Sequence, residues 1–337
     1  MIIIKRLKRH FFLRGANLLA KILQNKFKKF ARVKITLAPI SYEYLQQTKK
    51  SKINNSEWTL VIQGPILNSS HLDYLINNLR IISENFTGAK IIISTYRQYQ
   101  SQINLIPGKY FNKVVLSDEN DYKNNFERQV ATTHMGLRLA QSYDRKYVLK
   151  MRTDQMIYHP GALHVFECML KTYGKSAKTG NNNIVASSLN SWLYRPFGVS
   201  DMLMAGYVVD MQEYWKYDYQ IESLKLKLRK NSNLAARNAE FYESFLAKRY
   251  LINKGFKFTG NNFHDTARMY KEHIAIVDSM SINHNWFKRN PVWNGNAIVK
   301  SGYTLPANAL IEISHSDWLC LKFDTHTIQY DHLAARH

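Results

Sequence analysis

Residues 146–160 read KYVLKMRTDQMIYHP, an apolar run that turns abruptly into Arg152, Asp154 and Gln155. A half-buried strand would alternate apolar and polar residues. Tyr147 to Met151 is interrupted only by Lys150, the pattern of a strand covered on both faces. Three other stretches share it: Trp58-Thr-Leu-Val-Ile ending in Gln63-Gly64-Pro65, Lys90-Ile-Ile-Ile ending in Ser94-Thr95-Tyr96-Arg97, and Lys113-Val-Val-Leu ending in Ser117-Asp118-Glu119. Between them lie apolar positions at helical spacing: Leu72, Leu75, Ile76, Leu79 and Ile82, with Ser70 as N-cap, then Phe126, Val130, Leu137 and Ala140, with Asn125 as N-cap. Alternating strands and helices predict an α/β fold with a mostly parallel sheet flanked by helices. Such sheets bind ligands at the carboxyl ends of their strands, where these polar clusters converge.

The second half is less regular. Residues 171–183 read as an exposed loop, Ile184 to Leu189 as a further strand, and 211–250 as helix with a break near 230. From Pro291 onward short β-like pieces predict a β-rich C-terminal end. The expected organisation is a basic amphipathic helical leader over 1–45, an α/β domain over 57–290 and a β-rich extension over 291–337.

The chain has 337 residues and a formal charge of +22. Residues 1–42 carry 11 of its 47 Lys and Arg and none of its 25 Asp and Glu, half of the excess. Leu7, Phe11, Leu18, Leu19, Ile22, Leu23, Phe27 and Phe30 are interleaved with those cations. This pattern fits a helix lying on an anionic membrane surface through residues 1–35, or one docked on its own domain with a solvated basic face. Nothing approaches the roughly 20 apolar residues needed to span a bilayer. Cys168 and Cys320 form no CxxC pattern, consistent with a reduced compartment. There is no Walker A sequence, no GxGxxG and no GxSxG, which argues against P-loop, Rossmann-dinucleotide and nucleophile-elbow chemistry. A basic nucleic-acid-binding protein is the alternative from another class, but the charge is concentrated in an apolar-rich leader and no nucleic-acid module is visible.

On a strand, Lys150, Arg152 and Asp154 share a face. Either Arg152 and Asp154 form an internal ion pair, or Asp154 holds a metal or ribose while Arg152 or Lys150 meets a phosphate. Arg128, in the first turn of its helix, opposes the helix dipole. That points to a nearby anion, or else to a partner such as Glu127 or Asp121. In RPFGVSDMLMAG (195–206), Asp201 is a buried base or an N-cap. Glu240, in NAEFYESFLAKRYL (238–251), is a base or a first-turn carboxylate.

Six segments in order, VIQGPI (61–66), ISTYR (93–97), NFERQVATTHMGLRLA (125–140), YVLKMRTDQMIY (147–158), RPFGVSDMLMAG and NAEFYESFLAKRYL, resemble the WavE family of lipopolysaccharide-synthesis proteins. The resemblance covers roughly residues 58–255. It implies a GT-A-type glycosyltransferase moving a sugar from a nucleotide-sugar donor to a growing lipopolysaccharide or capsular glycan, free or lipid-linked. The enzyme would be cytoplasmic and peripheral on the inner face of the bacterial inner membrane, with no nucleic acid as partner. Transfer of a sugar-phosphate or polyol-phosphate unit is the alternative on the same fold. The resemblance casts Gln63, Gly64 and Pro65, with Ser94 and Thr95, as donor contacts. It sets Arg152-Thr153-Asp154-Gln155 where related enzymes carry Asp-x-Asp for Mn²⁺ or Mg²⁺. With one Asp there, either Asp154 holds the metal with the donor phosphates, or Arg128, Lys150 and Arg152 neutralise the leaving phosphate without one. Asp201, then Glu240, would accept the acceptor's proton.

Overall fold

A computed structural model describes residues 54–119, 122, 124–174, 184–193, 195–217, 242–286 and 312–323. The leader, residues 1–45, and Glu240 lie outside these. A seven-stranded sheet runs in the order β3 (Lys113–Ser117), β2 (Lys90–Tyr96), β1 (Trp58–Gln63), β4 (Tyr147–Arg152), β7 (Met204–Tyr207), β6 (Ile184–Ser187), β8 (Ile274–Val277). Every neighbouring pair is parallel except the two made by β7. The expected mostly parallel α/β architecture is what the chain adopts. Every residue of β1 is buried, as the unbroken apolar run requires.

Helices α1 (Ser69–Asn85) and α3 (Asn125–Gln141) connect strands of the parallel half, and the short α2 (Gln100–Asn104) precedes β3. From β1 the chain steps outward to β2 and β3, then returns across them to β4 on the other side of β1. Right-handed crossovers therefore set α1 and α3 on opposite faces. Val61, Gln63, Lys150 and Arg152 all look toward α3: Val61 meets Gly136 of α3, Gln63 meets its Thr132, and both strand residues are register partners of Lys150 and Arg152. The opposite face packs α4 (Ala162–Tyr173), whose Phe166 lies 6.5 Å from the Trp58 ring.

Helix α1 is capped by Asn68, whose side chain accepts the His71 N–H at 2.9 Å, two residues earlier than the expected Ser70. Asn124, not Asn125, caps α3 by accepting the Glu127 N–H at 2.9 Å. Within 211–250 the described residues give α5 (Val208–Tyr214) and α6 (Tyr242–Asn253). Of the expected loop over 171–183, residues 171–173 belong to α4, and 175–183 lie outside the described residues. Helix α7 (Asn262–Glu272) leads into β8, and a two-stranded sheet joins β5 (Gln155–Ile157) to β9 (His284–Trp286).

The β-rich C-terminal end needs correction where it is described. His315–Phe323 is a helix, α8, and the one bridge there joins Glu312 to Trp192. The indole of Trp318 is fully buried and donates to the carbonyls of Tyr270 and Ile274 at 2.8 and 3.0 Å, so α8 belongs to the core of the sheet domain. The lone apolar periodicity of Trp318 and Leu321 was masked by the Gly, Pro and Asn residues upstream.

Candidate active site

Strand β1 lies where the strand order reverses, flanked by β2 and β4, and its carboxyl end meets that of β4. The Gln63-Gly64-Pro65 turn is clasped from both neighbours. Gly64 N–H donates to the Ser94 carbonyl at 3.1 Å, the Thr95 hydroxyl to the Gly64 carbonyl at 2.8 Å, and the Thr153 hydroxyl to the Pro65 carbonyl at 2.8 Å. Gly64 has φ +129°, and a Cβ there would stand 3.1 Å from the Thr153 hydroxyl. Glycine is demanded by this close approach as well as by the dihedral. Gln63 donates to the Thr132 hydroxyl at 3.2 Å and Ser94 to its carbonyl at 2.6 Å, pinning α3 to the strand ends. The polar groups of Ser94 and Thr95 are thus spent on the framework.

Because β7 runs antiparallel to β4, the residues that precede it return to the carboxyl end of β4. This reversal carries Asp201 and Met202 over Lys150, the register partner of Met204. An open cavity of about 200 Å³ forms there, lined by Asn125, Phe126 and Gln129 of α3, Arg152, Asn190, Asp201, Met202, Trp286, and Tyr242 and Glu243 at the start of α6. The rings of Phe126 and Tyr242 stack at 4.3 Å, which fixes the first turn of α6 against α3.

Lys150 is fully buried. Its ammonium donates to the Asp201 carbonyl and sits 4.3 Å above the Trp215 ring. Burial pushes it down to about 7, against the pull of Asp201. Its reach ends inside the protein, so the expected direct phosphate contact by Lys150 is not available. Asp201 is held at both ends of its residue: Gln129 donates to its Oδ2 at 2.6 Å while Lys150 holds its carbonyl.

Arg152 and Asp154 form the ion pair that was one of the two sequence readings. Nε donates to Oδ1 at 2.9 Å and Nη2 to Oδ2 at 3.0 Å, and the Trp286 indole also donates to Oδ2 at 3.0 Å. Asp154 is buried; Arg152 is partly exposed at the cavity. The pair uses two of the five guanidinium N–H groups. A divalent cation does not fit this carboxylate. Both oxygens already accept from cationic or indole donors, and an ion bound to them would stand beside the guanidinium. Among the described residues no group of three or more His, Cys, Asp and Glu side chains gathers as metal ligands.

Arg128 is outside the cavity lining and pairs with Glu119 at 2.7 Å, an acid of the β3–α3 connection other than the two named from sequence. Glu119 also accepts from Gln98. Glu243 is the residue sequence reasoning passed over, three positions beyond Glu240. Burial, with Asp201 next, raises its carboxyl to about 7, while Arg195 and Arg152 pull the other way. Its place in the first turn of α6, beside an aromatic that stacks on α3, is the signal that would have found it.

A family model described as WavE lipopolysaccharide synthesis matches residues 58–245, more than half of the chain. No curated protein matches the sequence. Among solved structures, one of an active-site mutant of LgtC aligns over 76% of this chain and 86% of that one, at 10% identity and a TM-score of 0.34. A superposition that loose says nothing about fold or activity. The matched span contains β1 to β7, the Arg152–Asp154 pair, Asp201 and Glu243, and the chain belongs to the WavE lipopolysaccharide-synthesis family.

Proposed function

We propose that the chain is a glycosyltransferase that moves a sugar from a nucleotide-activated donor to a hydroxyl of a growing surface glycan. The observation that carries this reading is the cavity at the carboxyl end of β4, where the carboxylates Asp201 and Glu243 stand in one space with the Arg152 guanidinium. Family membership supplies the setting, lipopolysaccharide synthesis. The cavity supplies the chemistry: Arg152 meets the negative charge that develops on the departing diphosphate, and a carboxylate takes the acceptor's proton. Stacked aromatics and the amides of Asn125, Gln129 and Asn190 offer the flat apolar and hydrogen-bonding surfaces a sugar ring presents in return.

Charge neutralisation rests on protein cations, since Asp154 is committed to Arg152 and Trp286. Gln63, Gly64, Pro65, Ser94 and Thr95 shape the strand-end turn on which the nucleotide lies. The basic residues of the leader hold the enzyme on the anionic cytoplasmic leaflet, where lipid-linked acceptors reside.

Calorimetry with UDP, GDP, CDP and dTDP tests the reading. One of these binds the full chain with the same affinity in EDTA as in Mn²⁺, and Arg152→Ala weakens it about tenfold or more, in line with the ~1.5–3 kcal/mol of hydrogen bonds to charged groups. Absence of binding by all four removes the transferase reading. Binding that requires Mn²⁺ removes the cationic account of the diphosphate.

A further inference from the structure

Two carboxylates face the cavity, and their surroundings divide the labour between them. Asp201 is held in place from two sides. Its Oδ2 accepts from Gln129, its carbonyl accepts from Lys150, and Ser200, Met202 and Leu203 around it are buried. Glu243 reaches the same space from the first turn of α6 on a longer side chain, and that turn is set against α3 by the Tyr242–Phe126 stack. We propose that Glu243 is the group that accepts the acceptor's proton, and that Asp201 is its positioning partner. This rests on the glycosyl-transfer reading above and deepens it.

The groups that face Glu243 come from the β6–β7 connection, β4 and α5. Asp201 precedes β7, Arg152 ends β4, Arg195 follows β6, and Tyr214 ends α5. Burial first and the Asp201 charge second raise Glu243 to about 7, against Arg195 and Arg152. A base so placed is half ionised near neutral pH and holds a proton well once it has taken one. A diphosphate seated at Arg152 cancels part of the opposing cation, so an occupied donor site makes Glu243 more basic. In the step itself, the acceptor oxygen forms a bond to the anomeric carbon and its proton passes to the Glu243 carboxylate. The bond from that carbon to the diphosphate oxygen breaks, and its electron pair leaves with the diphosphate.

The test uses the full chain. UDP-, GDP-, CDP- and dTDP-sugars are screened for transfer to lipopolysaccharide glycan, and the donor that works is followed from acid to alkaline pH. Glu243→Gln loses about 10²-fold or more of the rate while it binds the free nucleoside diphosphate as wild type does, which also reports that it folds. Asp201→Asn keeps measurable transfer, and the acidic limb of its pH–rate profile moves to lower pH, because a like charge that raised Glu243 is gone. Near-wild-type transfer by Glu243→Gln overturns the assignment. So does the reverse pattern, with Asp201→Asn inactive and Glu243→Gln merely shifted in its limb. If the wild-type chain binds no nucleoside diphosphate, the transferase reading falls and takes the assignment with it; binding and transfer by wild type beside an active Glu243→Gln leave the reading standing and remove only the assignment.

Discussion

Lys150 is a charged residue between apolar neighbours in β4, and its burial sets a pH dependence that can be measured. Its amine has a folded value of about 7 against an ordinary 10.5. Between those values the unfolded chain holds a proton that the folded chain does not, so this residue makes stability rise with pH from about 7 to 10.5 and contributes no slope below. Lys150→Met keeps the volume and removes the buried amine. It also leaves the Asp201 carbonyl without its donor, a cost of roughly 1–3 kcal/mol. Desolvating an ammonium costs several kcal/mol, so the larger effect is the gain. The variant should melt above wild type at pH 7, with the difference shrinking toward pH 10; a constant difference would mean that Lys150 is not the group responsible. Transfer should fall, since Asp201 loses the hold on its backbone. The alternation of side chains along β4 placed Lys150 and Arg152 on one face, and the structure agrees. That rule stops at Arg152, where the strand ends, and Asp154 is brought to Arg152 by the turn that follows. Sequence spacing carried the charges to one neighbourhood but left their pairing undecided, because an ion pair and a ligand site draw on the same residues.

Helix α3 shows which features of an element are written in its own sequence. Its apolar spacing from Phe126 to Ala140 was legible, as were the parallel strands β1, β2 and β4, because burial on both faces leaves unbroken apolar runs, and β3, at the sheet edge and only partly buried, kept a shorter one. The closeness of its approach to the sheet was not. A Cβ on Gly136 would stand 2.5 Å from Val61 Cγ1 and 3.1 Å from Ser94 Cβ, both on fully buried central strands. In isolation Gly136→Ala should favour the helix by about 1 kcal/mol. Overpacking against short side chains that cannot swing away costs about 1–3 kcal/mol. The clash wins, and the variant should unfold at lower denaturant with an unchanged slope; a more stable Gly136→Ala would show that α3 can lift from β1. Such a lift would also strain the Thr132 contacts to Gln63 and Ser94, so weakened nucleotide binding should accompany it. The reversed strand β7 was illegible for a different reason. Its four residues, Met204 to Tyr207, have no pattern that distinguishes parallel from antiparallel pairing, yet that reversal is what delivers Asp201 to the site.

For the whole molecule the dominant quantity is charge, and it is unevenly placed. Among the described residues no helix is long and apolar enough to cross a membrane. The 11 Lys and Arg of residues 1–42 face no acid in their own segment. A cation close to an anionic leaflet gains about 1 kcal/mol, so engaging about four of them is worth ~4 kcal/mol, or about 10³ in partitioning, before any apolar burial by Phe11, Phe27 and Phe30. The remaining charge, spread over a chain with all 25 of the acids, gives no comparable local field. The full chain should therefore sediment with phosphatidylglycerol vesicles and not with phosphatidylcholine vesicles, and raised salt should weaken this without abolishing the apolar part. Deletion of residues 1–45 should release the protein into solution while nucleotide binding at the β4 edge persists. Vesicle binding that survives the deletion would move the contact onto the sheet domain. Salt-sensitive binding to RNA or DNA that survives it would restore the nucleic-acid reading, since the charge responsible would then lie on the domain itself and not in the apolar-rich leader.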